Sequence, residues 1–115
     1  MTVWNKLPIG GGGDLTFATL YHYGKDSGTG AFTYTTTDRY DFLIVAGNQT
    51  GTGQNIPNTS CSKGTLVASF YCNVGSGSTP SRQSVKIWQD VDSGAVINMP
   101  SSSSRRGIIV TGVTV

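Results

Sequence analysis

The residues able to do chemistry are few in this chain, and their spacing limits what they could do. The acids are all aspartate (Asp14, Asp26, Asp38, Asp41, Asp90 and Asp92), His22 is the only histidine, and Cys61 and Cys72 are the only cysteines. Four consecutive glycines, residues 10–13, precede Asp14. A glycine run can cradle phosphate, but a P-loop continues into Lys-Ser/Thr and a helix. Here the next residue is an aspartate, which repels phosphate, and the next segment, "LTFATLYHY", alternates as a strand does. A dinucleotide fingerprint would need a parallel βαβ unit, which this helix-poor composition does not supply. Phosphate binding is excluded, and the glycines read as a joint.

The other constellations are equally thin. Serines are so abundant that a Ser-His-Asp match to His22 carries no information, and His22 reads as a partly exposed strand residue. "DVDSGA" opens like a calcium loop, yet it offers two carboxylates and a serine where calcium wants six to eight oxygens. A hairpin turn at Asp92, Ser93 and Gly94 explains the same residues. Two cysteines and one distant histidine do not make a zinc site. The cysteines read as one buried thiol and one loop thiol, with a disulfide between them open if the protein works outside a cell. The chain is read as non-enzymatic, with no metal and no cofactor.

The elements that would position any site are strands. Glutamate is absent, Leu and Ala are sparse, and Thr, Ser, Gly and Val dominate, which disfavours helices and favours strands and turns. At 115 residues the chain is read as one domain, 1–115, with residues 1–13 as an attachment strand and glycine joint. Period-two runs separated by turn clusters predict an all-β antiparallel sandwich or jelly roll of about eight strands. "YDFLIVAG" is continuously apolar and reads as a central strand covered on both faces. Alternation assigns Phe42, Ile44, Leu66, Phe70, Val85, Ile87, Ile108 and Val110 to the core. Cys72 is read as pointing inward with Leu66, Ala68 and Phe70. Leu15, Phe17, Tyr21 and Tyr23 are assigned to one face. "TVWNKL" and "RRGIIVTGVTV" are read as edge strands.

A formal charge of +2, evenly spread, gives no electrostatic grip on nucleic acid, and no apolar run reaches the length of a membrane helix. The start "MTVWNKLP" lacks the basic and apolar regions of a signal peptide, so the two glycosylation sequons are read as chance. What remains is a surplus of aromatics and two polar loops, residues 47–63 and 73–81. Asn48, Gln49, Gln54, Asn55 and Asn58 offer paired donors and acceptors suited to sugar hydroxyls, and Tyr71 and Trp88 offer stacking faces beside them.

The Trp-containing first strand, the threonine-rich alternating segment, "YDFLIVAGN", the polar loop, "VASFYCN" and the terminal "GIIVTGVTV" together resemble the small β domains of bacteriophage virions. Such domains occur in tail fibres, receptor-binding proteins, baseplate accessories and head fibres. The resemblance implies a tail- or fibre-associated structural protein, made in the host cytoplasm and carried in the virion, that contributes to attachment at a host-surface glycan. It implies a homo-oligomer, a trimer, in contact with other virion proteins. The alternatives are a capsid decoration or head-fibre protein, or a non-viral, lectin-like carbohydrate-binding module with the same sandwich and aromatic platform.

Overall fold

The computed structural model describes residues 3–8, 14–23, 32–50, 58–75, 81–99 and 105–115. Among them are nine strands: β1 (Val3–Pro8), β2 (Asp14–Tyr23), β3 (Phe32–Thr35), β4 (Tyr40–Thr50), β5 (Ser60–Cys61), β6 (Thr65–Val74), β7 (Ser81–Val91), β8 (Val96–Met99) and β9 (Arg105–Thr114). All pairings are antiparallel. One sheet has the order β1-β2-β9-β4-β7-β6 and the other β3-β8-β5.

The order records how the chain is wound. β2 pairs with β9, β3 with β8 and β4 with β7, so one long antiparallel ribbon crosses back and forth between two sheets. This is the jelly-roll form of the sandwich. A complete roll would continue with β5 beside β6. Instead β6 runs along β7 in the large sheet, and the small sheet stops at β5. Three short strands therefore cover one face of six.

The core lies between the sheets. Leu43 and Val45 of β4, Trp88 of β7, Ile108 and Val110 of β9 and Ala18 and Leu20 of β2 meet Ile97 and Met99 of β8. Tyr40 enters the same cluster, and its burial, with help from the nearby Asp38 charge, pushes its pKa up to about 12. Hydrogen bonds continue the β3–β8 pairing of the small sheet past Thr35↔Val96. The Thr36 amide donates to the Ala95 carbonyl, the Gly94 amide donates to the Thr36 carbonyl, and the Thr36 hydroxyl accepts from the Ala95 amide. Asp92, Ser93 and Gly94 do form a tight turn, with Gly94 at φ +80°, but it carries the chain from β7 in one sheet to β8 in the other.

Several expectations from alternation are corrected. Ile108 and Val110 are buried as expected, but Phe42, Ile44, Val85 and Ile87 are half-buried on the far face of the large sheet, and Leu66 and Phe70 are exposed. β4 is central, between β7 and β9, yet the small sheet covers only its Leu43 and Val45 side. β9 is enclosed by β2 and β4 and is not an edge; the edges of the large sheet are β1 and β6. β1, an edge strand as expected, pairs with β2 from Val3↔Thr19 to Pro8↔Asp14. The glycine run lies outside the described residues.

Two irregularities explain why simple alternation fails. The β2–β9 register shifts between Thr19 and Tyr21, so Phe17 shares a face with Val113 while Tyr21 aligns with Val110 and packs on the core, 6.2 Å from the Tyr34 ring. A bulge of this kind changes which face the following side chains take. At the end of β7, Asp90 has φ 56°, a left-handed conformation that aspartate tolerates better than most. Gln89 is exposed on the outer side, and Val91, just past Asp90, is fully buried in the core.

Candidate interaction surface

On β7 the side chains divide into one set with Arg82, Ser84, Lys86 and Trp88, and another with Gln83, Val85, Ile87 and Gln89. The second set is the more apolar between Val85 and Ile87, yet it is the first that turns toward the small sheet, led by Trp88 at 4% exposure. The cationic members of the first set are accommodated individually. Lys86 Nζ donates to the Thr59 carbonyl at 2.9 Å, and burial pulls its pKa below the usual lysine range. Arg82, 5% exposed, donates from Nε to Asn73 Oδ1 at 3.0 Å and stacks its guanidinium 4.3 Å from the Tyr71 ring centroid. Such a contact fixes both groups at the end of the β6–β7 pair.

The opposite, outer face of the large sheet is consequently apolar and uncovered by the small sheet. Register places Ile44 between Ile87 and Thr111, Ala46 between Val85 and Ile109, and Phe70 beside Val85. Phe17 and Phe42 flank Val113, which is buried without belonging to the core between the sheets. Around Ala46 the small side chains leave an open depression of about 430 Å³, bounded by Val85 and Ile109 and reaching Asn48, Gln83 and Gly107. Asn48 and Gln83 are cross-strand partners, so two amides stand at the polar end of an apolar trough. An apolar floor with a few convergent hydrogen-bonding groups is the usual make-up of a ligand surface.

The residues expected to bind sugar are not brought together. Asn48 and Gln49 both lie on β4 rather than in a loop; Asn48 reaches the outer depression and Gln49 is fully buried. Asn58 is exposed in the turn before β5. Tyr71 is half-exposed under Arg82, and Trp88 is in the core, where it cannot stack on a ligand. Gln54 and Asn55 lie outside the described residues, as does the side chain of His22. Gln83 and Arg82 were not singled out by sequence, and Phe70 was assigned to the core rather than to a surface. The signal for Gln83 was its phase, since it shares a face with Val85 and Ile87.

The remaining titratable groups support structure. Arg39 reaches Asp41 at 2.8 Å, Asp90 at 3.3 Å and Asp92 at 3.7 Å, so both carboxylates of "DVDSGA" belong to an ion-pair network. The Arg39 hydrogen bond and the Val115 amide, which donates to Asp41 Oδ2 at 2.8 Å, hold the Asp41 carboxyl below its usual range. Cys61 packs against the core, where burial raises its thiol pKa, and Cys72 lies in register with Gln83 on the outer face. Both thiols are free, and the sheet lies between them. Ser84 Oγ is buried with no hydrogen-bond partner among the described residues. No protein-family model, curated protein or solved structure matches the chain.

Proposed function

We propose that the protein is a non-enzymatic structural protein of a bacteriophage virion, tail- or fibre-associated, that contributes to attachment at a host-surface glycan through the outer face of the large sheet. The observation that carries this reading is the apolar face that, among the described residues, the jelly-roll sandwich leaves uncovered. Large apolar patches on a chain of this size mark contact surfaces, and jelly rolls recur in viral capsid and lectin domains. The link from fold to role is an analogy of architecture. The resemblance to phage β domains supports the same reading and favours a homotrimer in contact with other virion proteins. In the glycan role, Asn48 and Gln83 supply donors and acceptors for sugar hydroxyls, and Val85 and Ile109 meet the C–H side of the ring.

The test is gold-labelled antibody against the chain, applied to purified particles and to the soluble fraction of the lysate. Label on tails or fibres is expected, together with slower adsorption to host cells by particles carrying Asn48→Ala and Gln83→Ala. Label confined to heads would make this a capsid decoration protein. Absence from particles would overturn the virion role and leave a lectin-like module, to be sought by glycan-array binding of the purified chain.

A further inference from the structure

Among the described residues, a single chain offers little to β6. It pairs with β7 along one side, and among the described residues its other side is the open edge of the large sheet. Nine of its ten residues are exposed, including Leu66, Val67, Phe70, Tyr71 and Val74, with Phe70 at 63%. Side chains project on both faces because the small sheet does not extend beneath it. Ordering ten residues that bury so little is costly in conformational entropy.

Natural sheet edges are normally blunted by charge, by proline, or by shortness. The other edge of this sheet follows the rule: β1 is six residues long and carries Lys6 and Pro8. β6 does not. "TLVASFYCNV" has no charged residue and no proline, and past its bulge between Leu66 and Ala68 it runs without irregularity to Val74.

We propose that β6 pairs edge to edge, antiparallel, with β6 of a second copy of this chain, joining two large sheets into one. A strand is the occupant that would satisfy the backbone groups left unpaired among the described residues. A second β6 is a strand of matching length with no charge to repel the first, whereas β1 would bring a lysine and a residue lacking an N–H. A two-fold axis perpendicular to the sheet satisfies both edges with one contact. Such an axis keeps outer face against outer face, so paired residues must have the same parity. The axis therefore passes through a residue rather than between two. At Phe70 it sets Phe70 against its own symmetry mate, with Ala68 facing Cys72; at Tyr71 it sets Phe70 against Cys72 and Ala68 against Val74. Either choice extends the apolar outer face across both chains. A three-fold assembly would need a separate contact, and β6 would then join trimers in pairs.

Light scattering on the purified full chain, across micromolar concentrations, tests the pairing independently of any virion role. The unaltered chain is expected to show an even number of copies, and Phe70→Lys should halve the particle mass with an unchanged circular dichroism spectrum. Cysteines introduced one at a time in a Cys61→Ala, Cys72→Ser background give a second readout that introduces no charge. Phe70→Cys or Tyr71→Cys should cross-link two chains on mild oxidation, and Val74→Cys, far from the axis, should not. A single-chain mass for the unaltered protein, an unchanged mass for Phe70→Lys, or cross-linking through Val74→Cys in preference to the central positions would each overturn the proposal.

Discussion

The ring of Tyr40 fills the space a side chain would need at Gly112. A Cβ on Gly112 would overlap Cδ1 and Cε1 of Tyr40, which is itself 1% exposed. β9 can lie against this tyrosine only where it has no side chain. Gly112→Ala should therefore force a shift in a closely packed layer, at a cost of about 1–3 kcal/mol. Urea unfolding of the two proteins measures it, and equal midpoints would show that the ring is free to move.

Neighbouring residues of β4 should respond very differently. Leu43 is fully buried between the sheets, whereas Ile44 is half-buried on the outer face. Leu43→Ala should cost about 2–5 kcal/mol. Ile44→Ala should cost roughly half as much or less, because less of its area leaves water on folding. Equal losses would mean that the outer face is as well covered as the inner one.

Acid should weaken the fold partly through Asp41. Its carboxyl is held below the ordinary range by the Arg39 hydrogen bond and the Val115 amide. A carboxyl depressed in the folded state contributes stability that is present above the unfolded pKa of about 4 and is lost as pH falls through the lower folded value. Asp41→Asn, which keeps an acceptor oxygen, should flatten the fall in melting temperature below that pH. An unaltered acid limb would remove Asp41 as a contributor.

Alkali acts through Tyr40 with the opposite sign. Its pKa of about 12, raised first by burial, means that the folded chain keeps a proton the unfolded chain releases near pH 10. Stability contributed by this difference is complete below about pH 10 and is lost as pH rises toward the folded value. Tyr40→Phe keeps the ring and removes the ionisation, so its melting temperature should fall less between those two values. Parallel melting curves for the two proteins would contradict the assignment.

Strand identity was legible in the sequence because it depends on local alternation and turn residues, both visible within a few positions. Facing was not. In "RQSVKIWQD" the local pattern favours Val85 and Ile87 as the buried pair, but Trp88 sets the opposite phase, and the stems of Arg82 and Lys86 go inward once Asn73, Tyr71 and Thr59 supply partners from other strands. Those partners are remote in sequence. β5 is only two residues long and was hidden inside a polar loop. The proposed site suffered for the same reason. Asn48 and Gln49 look equivalent as adjacent amides, yet in a strand they must point to opposite sides.

The winding has a consequence for how the chain comes into being. β9 is the last of the nine strands and sits between β2 and β4, with Thr114 paired to Thr16. A growing chain that has already delivered β2 and β4 lacks the strand that joins them. Until β9 emerges from the ribosome, both present unsatisfied edges and apolar side chains to solvent. Completion of the sheet therefore waits for β9 and is governed by closure of very long loops, which is the slow regime for small proteins. A chain truncated before β9 would lose the centre of its sheet.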